Sequence, residues 1–371
     1  MRLSHVKHLI RLFFMYFSRQ VLAVGILKNP LFKIFLGLSV MVIVFAMSAL
    51  MHGFFTEIGN QNQEVDLILK VYSITVTLWT IIVFIFLKIL FAKSDKLLKM
   101  TTAFPVNMKE RNLALLLFEV FMTFCFICII SFSITVALLL IYGVRYLGMI
   151  ICNIFYLSAT LYLVMQLFYS LIGWGLEKLR LFKIKTPILF LMYTTYFLIF
   201  FHLSTQISSE ILVSYLNKEN PPKYLVLIWD RLNNNLGFGI TTFIFITVVS
   251  LLIYSLIYIP DYAYLQKNIF NKFSHISKPL NYLSVYFLAL FRRTENINLV
   301  IIAYLFIIYL IYAGKDNYFL WPIFIFCING IYLYIQTEEI RFLQFKIGYS
   351  PWTDYLTLLL SQLMWGGIFS L

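Results

Sequence analysis

Residues 113–141 read LALLLFEVFMTFCFICIISFSITVALLLI, an apolar run interrupted by one charged side chain, Glu119. About 20 apolar residues suffice for a helix to cross the hydrocarbon of a bilayer, and this run is longer and shows no strand-like alternation. Within lipid the backbone N–H and C=O groups must pair with one another, so a continuous run of this kind is a helix. Working outward, similar runs are expected at about residues 31–54, 68–91, 148–172, 188–205, 237–259, 299–314, 319–336 and 355–371. The expected fold is all-α, a polytopic transmembrane helical bundle of about nine spans.

Composition points the same way. Of 371 residues, 61% are hydrophobic and 12% charged, which excludes a soluble domain with an apolar core. The net charge of +13 does not indicate nucleic acid, because the lysines and arginines sit in short connections flanking the apolar runs. That distribution is the positive-inside pattern of a multi-pass protein, with an expected cytoplasmic amino terminus and, for nine spans, an external carboxyl terminus. The richness in Ile, Leu, Phe, Tyr, Lys and Asn is compatible with a bacterial source, hence a bacterial cell membrane. Cys125, Cys128, Cys152 and Cys327 all lie in apolar runs. Cys125 and Cys128 share a helix face, but no His or carboxylate accompanies them at ligand spacing, so they read as packing residues and no metal or cofactor is expected. No phosphate loop, HExxH or GxSxG motif occurs, so no catalytic residues are assigned and this chain is not expected to hydrolyse nucleotide through a phosphate loop. Glu338-Glu339 lacks the arginine four residues on that an intramembrane CAAX protease needs; that position is Leu343.

Four regions follow. Residues 1–30 carry an amphipathic helix (4–24) with Leu9, Leu12, Phe13, Tyr16 and Phe17 at helical spacing and Lys7, His8 and Arg11 beside them, expected to lie in the interface. Residues 31–260 hold a six-span unit, with a tight turn at Gly143 and a long external loop at 206–235. Residues 261–298 form a cytoplasmic connection with a second interfacial helix, and 299–371 hold three further spans. The later regions echo the first. Ser4-His5-Val6 matches Ser274-His275-Ile276, Tyr16-Phe17 matches Tyr286-Phe287, and residues 113–119 (LALLLFE) match 356–362 (LTLLLSQ). The order of elements suggests a partial internal duplication, as in many transporters.

Between the second and third spans lies AKSDKLLKMTTAFPVNMKERN, residues 92–112. Its first part can form a short amphipathic helix bearing Asp95, Lys96 and Lys99, which Phe104-Pro105 ends, since proline lacks an N–H and restricts its predecessor. Among intramembrane ionisable groups, Glu119 either lines a polar cavity or pairs with Lys88 to fix helix packing, and Gln362 is its counterpart in the repeat. Lys70 stands near a span end, where it can snorkel to the interface.

An interfacial helix, two spans, a charged hairpin containing Asp95-Lys96 and Phe104-Pro105-Val106, then a span entered through Lys109-Glu110-Arg111: this layout resembles the permease subunits of bacterial ABC-2-type exporters. The resemblance implies that the hairpin docks on a separately encoded ATPase, through Asp95, Lys96, Lys99, Phe104 and Pro105. A second coupling element around Glu338, Glu339 and Pro351 would suit a dimeric ATPase. It further implies export across the lipid bilayer, with a second permease copy or subunit completing the path. An aromatic and aliphatic interior with few charges favours an amphipathic peptide or lipid-like substrate. Two alternatives belong to other classes. A membrane glycan polymerase or acyltransferase calls for a loop with clustered acidic, His or Arg residues. An ion-coupled secondary transporter calls for more intramembrane carboxylates than Glu119 supplies.

Overall fold

The computed structural model describes residues 2–22, 30–58, 62–92, 106–179, 181, 185–217, 223–259, 286, 294–312 and 350–370. These residues are helical almost throughout. The main elements are α1 (Leu3–Leu22), α2 (Pro30–Ile58), α3 (Asn62–Ala92) and α4 (Met108–Tyr142). After a 3-10 turn, α5 (Leu147–Ile150) continues through a π-helical turn (Ile151–Tyr156) into α6 (Leu157–Lys178). Then come α7 (Lys185–Leu216), a 3-10 turn (Leu225–Leu227), α8 (Ile228–Leu236), α9 (Phe238–Tyr258), α10 (Thr294–Tyr312) and α11 (Pro351–Ser370).

Six of these stretches are long and apolar enough to cross a membrane: Lys33–Gly53, Val65–Lys88, Lys109–Tyr142, Val144–Lys178, Ile188–Leu216 and Phe238–Tyr258. They coincide with the first six expected runs. The seventh and ninth runs correspond to the helices α10 and α11, while the eighth (319–336) lies outside the described residues, so a count of nine is not established.

The chain divides into two compact units, one of Met1–Trp174 with Phe200–Tyr264, the other of Gly175–Ile199 with Leu265–Leu371. In the first unit polarity is inverted relative to a soluble protein. Phe35, Val42 and Leu50 on α2 are about two-thirds exposed, whereas Ser73, Thr80 and Glu119 are at most 1% exposed. Apolar surface outward and hydroxyls or charges inward is what hydrocarbon solvent selects, since only polar groups gain by finding partners inside the bundle.

The expected loop at 206–235 is mostly helix. α7 continues to Leu216 because Ile207 and Ile211, one turn apart, bury against Ile74 of α3 and Leu227. Ser208 and Ser214 return their hydroxyls to carbonyls one turn back, so the polar sequence does not break the helix. At the other end of α3, α1 packs on α4. Val6, Leu9 and Phe13 are buried, and the rings of Phe13, Phe14 and Phe17 surround Phe118 at 6.0, 4.7 and 6.1 Å between centroids. The face of α1 that the spacing directs into lipid is therefore in part a protein contact. Gly143 (φ +76°) and Gly237 (φ +81°) make the turns into the fourth and sixth spans, where a side chain would be strained.

Candidate functional site: two ion clusters on one helix

α3 carries a cluster of charge near each end. Lys70 and Lys88 are eighteen residues apart on one unbroken helix, which at about 1.5 Å per residue separates them by about 27 Å, close to the thickness of a bilayer's hydrocarbon.

At the Lys88 end, the ammonium bonds both oxygens of Glu119 at 2.8 Å. The Tyr162 hydroxyl donates to the same carboxylate at 3.0 Å. Lys88 also lies 4.9 Å from the Tyr169 ring centre and 5.5 Å from that of Phe84, within cation–π range. Glu119 is 1% exposed and fully paired. Of the two roles open to Glu119, pairing with Lys88 is the one present, and it ties α3, α4 and α6 together.

One turn into α4, a second carboxylate holds α1. Glu110 is 2% exposed and accepts the Arg2 backbone N–H at 2.5 Å and that of Asn107 at 3.3 Å, with His5 Nδ1 at 3.5 Å. Beside it the Lys109 ammonium sits 4.1 Å from the Tyr258 ring centre at the end of α9. The start of α4 is thus gripped by α1 and α9, with α3 and α6 closing on it through Glu119.

At the opposite end, Lys70 bonds Asp66 and stands 3.7 Å from Asp230. Asp230, in the first turn of α8, is 1% exposed. It accepts from Asn153 Nδ2 at 3.1 Å and from Asn234 Nδ2 at 3.3 Å. Asn153 sits in the π-helical turn, donates to the Met149 carbonyl as well, and accepts from the Ser73 hydroxyl at 3.0 Å. Burial pushes the Asp230 carboxyl above the usual aspartate range; Asp66 adds to the shift, while the bonds from Asn153 and Lys70 oppose it. Aromatic packing fixes the turn: Tyr156 stacks on Phe245 at 3.9 Å, and Trp229 Nε1 donates to Thr160 at 3.0 Å. Wide π-helical turns inside α-helices are frequent at functional positions.

Several expected site residues, Asp95, Lys96, Lys99, Phe104, Pro105, Glu338 and Glu339, lie outside the described residues. Pro351 opens α11, and Gln362 lies on the same helix in the second unit. There Asp354, in the first turn of α11 and 7% exposed, accepts from the hydroxyl of buried Tyr286. A carboxylate in the entry turn, closed by the preceding segment, is the arrangement seen at Glu110.

Asp230, Asn153 and Ser73 were hidden from sequence reasoning for different reasons. Asp230 falls in what reads as a polar loop. Asn153 is one of two amides in the fourth apolar run, with Gln166, a visible signal, but nothing in the sequence pairs it with a residue 77 positions away. Lys70 reads as a snorkelling lysine and proves to be shared by two carboxylates.

The fold and its inverted polarity define a multi-pass α-helical membrane protein. No protein-family model, curated protein or solved structure matches the chain.

Proposed function

We propose that this chain is the membrane-spanning subunit of an exporter driven by a separate, dimeric ABC-type ATPase. It has no catalytic activity of its own and moves an amphipathic peptide or lipid-like substrate outward through the cell membrane. The basic connections support a cytoplasmic amino terminus and a cytoplasmic 92–112 segment, the expected hairpin. The observation that carries this reading is the grip on the two helices flanking that hairpin. α3 and α4 are joined by Lys88–Glu119, and the first turn of α4 is bound by Arg2, just before α1, and His5 of α1, with its Lys109 against the Tyr258 ring of α9. Force applied to the hairpin then moves four helices as one body, which is what coupling a soluble motor to a membrane path requires. Asp95, Lys96, Lys99, Phe104 and Pro105 would meet the ATPase, with Glu338, Glu339 and Pro351 as the second contact.

The test is co-purification of tagged chain from its native membrane. Wild type should retain an ATPase, while Lys96→Glu with Lys99→Glu, or Pro105→Ala, should lose it yet still insert. An ATPase recovered equally from all of them, or from none, overturns the coupling role. A second reading, ion-coupled transport, draws support from Asp66 and Asp230, two carboxylates that share Lys70 at a span end. It requires that transport persist with no ATPase bound.

A further inference from the structure

The two ion clusters are joined by a polar stripe on α3. Asp66, Lys70, Ser73, Thr77, Thr80, Phe84 and Lys88 recur at intervals of three or four residues and fall within about 80° of arc at 3.6 residues per turn. Ser73, Thr77 and Thr80 are 0–2% exposed, buried from lipid as completely as any residue of the unit. Thr77 and Thr80 donate their hydroxyls to the carbonyl one turn back, at 2.9 and 2.7 Å, while Ser73, at the stripe's end, divides its proton between the Leu69 carbonyl and Asn153 Oδ1. A hydroxyl satisfied by its own helix loses no hydrogen bond when its neighbours part, and its free lone pairs then welcome water. Such a face can be either packed or wet, unlike one whose bonds cross to another helix.

The opposing face of α6 has matching character. Tyr162, Gln166 and Tyr169 stand on one strip, and the two tyrosines contact Phe84 at 5.3 and 6.2 Å between ring centres. Gln166 lies between them, 8% exposed, with a buried Oε1 that has no hydrogen-bond partner. A buried acceptor without a partner costs free energy when dry and is satisfied when a donor enters.

We propose that the seam between α3 and the π-turn/α6 helix is the translocation path in its closed state. Thr77, Thr80 and Gln166 are its lining, Phe84 is its plug, and Lys70–Asp230 and Tyr162–Glu119 are the locks at its two mouths, the Lys88–Glu119 tie between α3 and α4 staying closed. The lining offers hydroxyls, one amide and tyrosine rings, and each mouth carries both signs of charge. It suits a molecule with hydrogen-bonding groups along its length, an extended amphipathic peptide, in preference to a wholly aliphatic one. The proposal rests on the chain being a transporter but not on what drives it.

The experiment uses full-length protein in lipid nanodiscs, with Thr77→Cys or, as a lipid-facing control, Phe86→Cys (Phe86 is 46% exposed). A cationic, water-soluble methanethiosulfonate is added, and modification is read peptide by peptide by mass spectrometry. With both locks intact, Thr77→Cys should label slowly but before Phe86→Cys. Lys70→Ala or Glu119→Gln should speed its labelling about tenfold or more by shifting the closed–open balance, without speeding Phe86→Cys or native Cys152. Joint exposure of all three positions marks unfolding, and the intact-lock comparison then decides alone. Thr77→Cys labelled no sooner than Phe86→Cys in the intact chain overturns the path. Early labelling that neither lock variant alters overturns the locks. No ATPase enters this assay, so its outcome is independent of the co-purification result.

Discussion

Removing either member of the Lys88–Glu119 pair is the sharpest probe of what this site does. The pair lies between side chains 12% and 1% exposed, so water screens it little. Breaking a buried pair by deleting one partner typically costs about 3–5 kcal/mol, because the survivor is left charged and desolvated. The two halves are not equivalent. In Glu119→Gln the stranded Lys88 keeps the rings of Phe84 and Tyr169, worth about 1–2 kcal/mol in a dry setting, and has some exposure, so the loss should fall to about 2–4 kcal/mol. In Lys88→Met the stranded carboxylate keeps only Tyr162 as a side-chain donor, so the full 3–5 kcal/mol is expected. The double variant leaves no stranded charge and should be less destabilised than the sum of the singles, by at least about 1.5 kcal/mol in a double-mutant cycle. Steric-trap unfolding in bicelles measures all four forms. Single variants each within about 0.5 kcal/mol of wild type, with no coupling, would refute the assignment of this pair as the tie between α3, α4 and α6.

The same logic applies at the other cluster with a different sign of sensitivity. Lys70→Met leaves Asp66 and Asp230 facing one another and should cost more than Asp230→Asn, which keeps an acceptor for Asn153; thermal melts of the two variants side by side test the order. Because the folded-state pKa of Asp230 is raised, its contribution to stability is complete below the usual aspartate pKa of about 3.9 and is lost as pH rises through the folded value. Wild type should therefore gain stability relative to Asp230→Asn as the buffer is acidified from neutral toward the usual aspartate pKa of about 3.9, and a pH-independent difference across that range would contradict this. Phe118→Ala empties the socket filled by Phe13, Phe14 and Phe17, with a loss of about 3–5 kcal/mol local to α1, seen as accelerated proteolysis within residues 3–22. Cleavage there at the wild-type rate would mean that α1 is held by lipid and not by α4.

How much of this was legible beforehand depended on whether the signal is local. Hydrophobic length is local, so six spans, the turn at Gly143 and the amphipathic helix α1 could be read directly. Lys88–Glu119 was within reach because both residues are charged, intramembrane and on consecutive spans. The 206–235 segment misled because serines, glutamate and asparagines signal a loop in water. Here Ile207, Ile211, Leu227 and Trp229 supply enough burial to keep the backbone helical.

By itself, the amino-acid sequence determined that the chain lives in a bilayer and where the cores of its first six spans lie, since both follow from runs of apolar residues. Tertiary structure alone decided which polar groups meet. Asp230, Asn153 and Ser73 are separated by 77 and 80 positions and become neighbours only when α8, the π-turn and α3 pack. Hydrogen bonds and ion pairs act over a few ångströms of space, and distance along the chain carries no record of them.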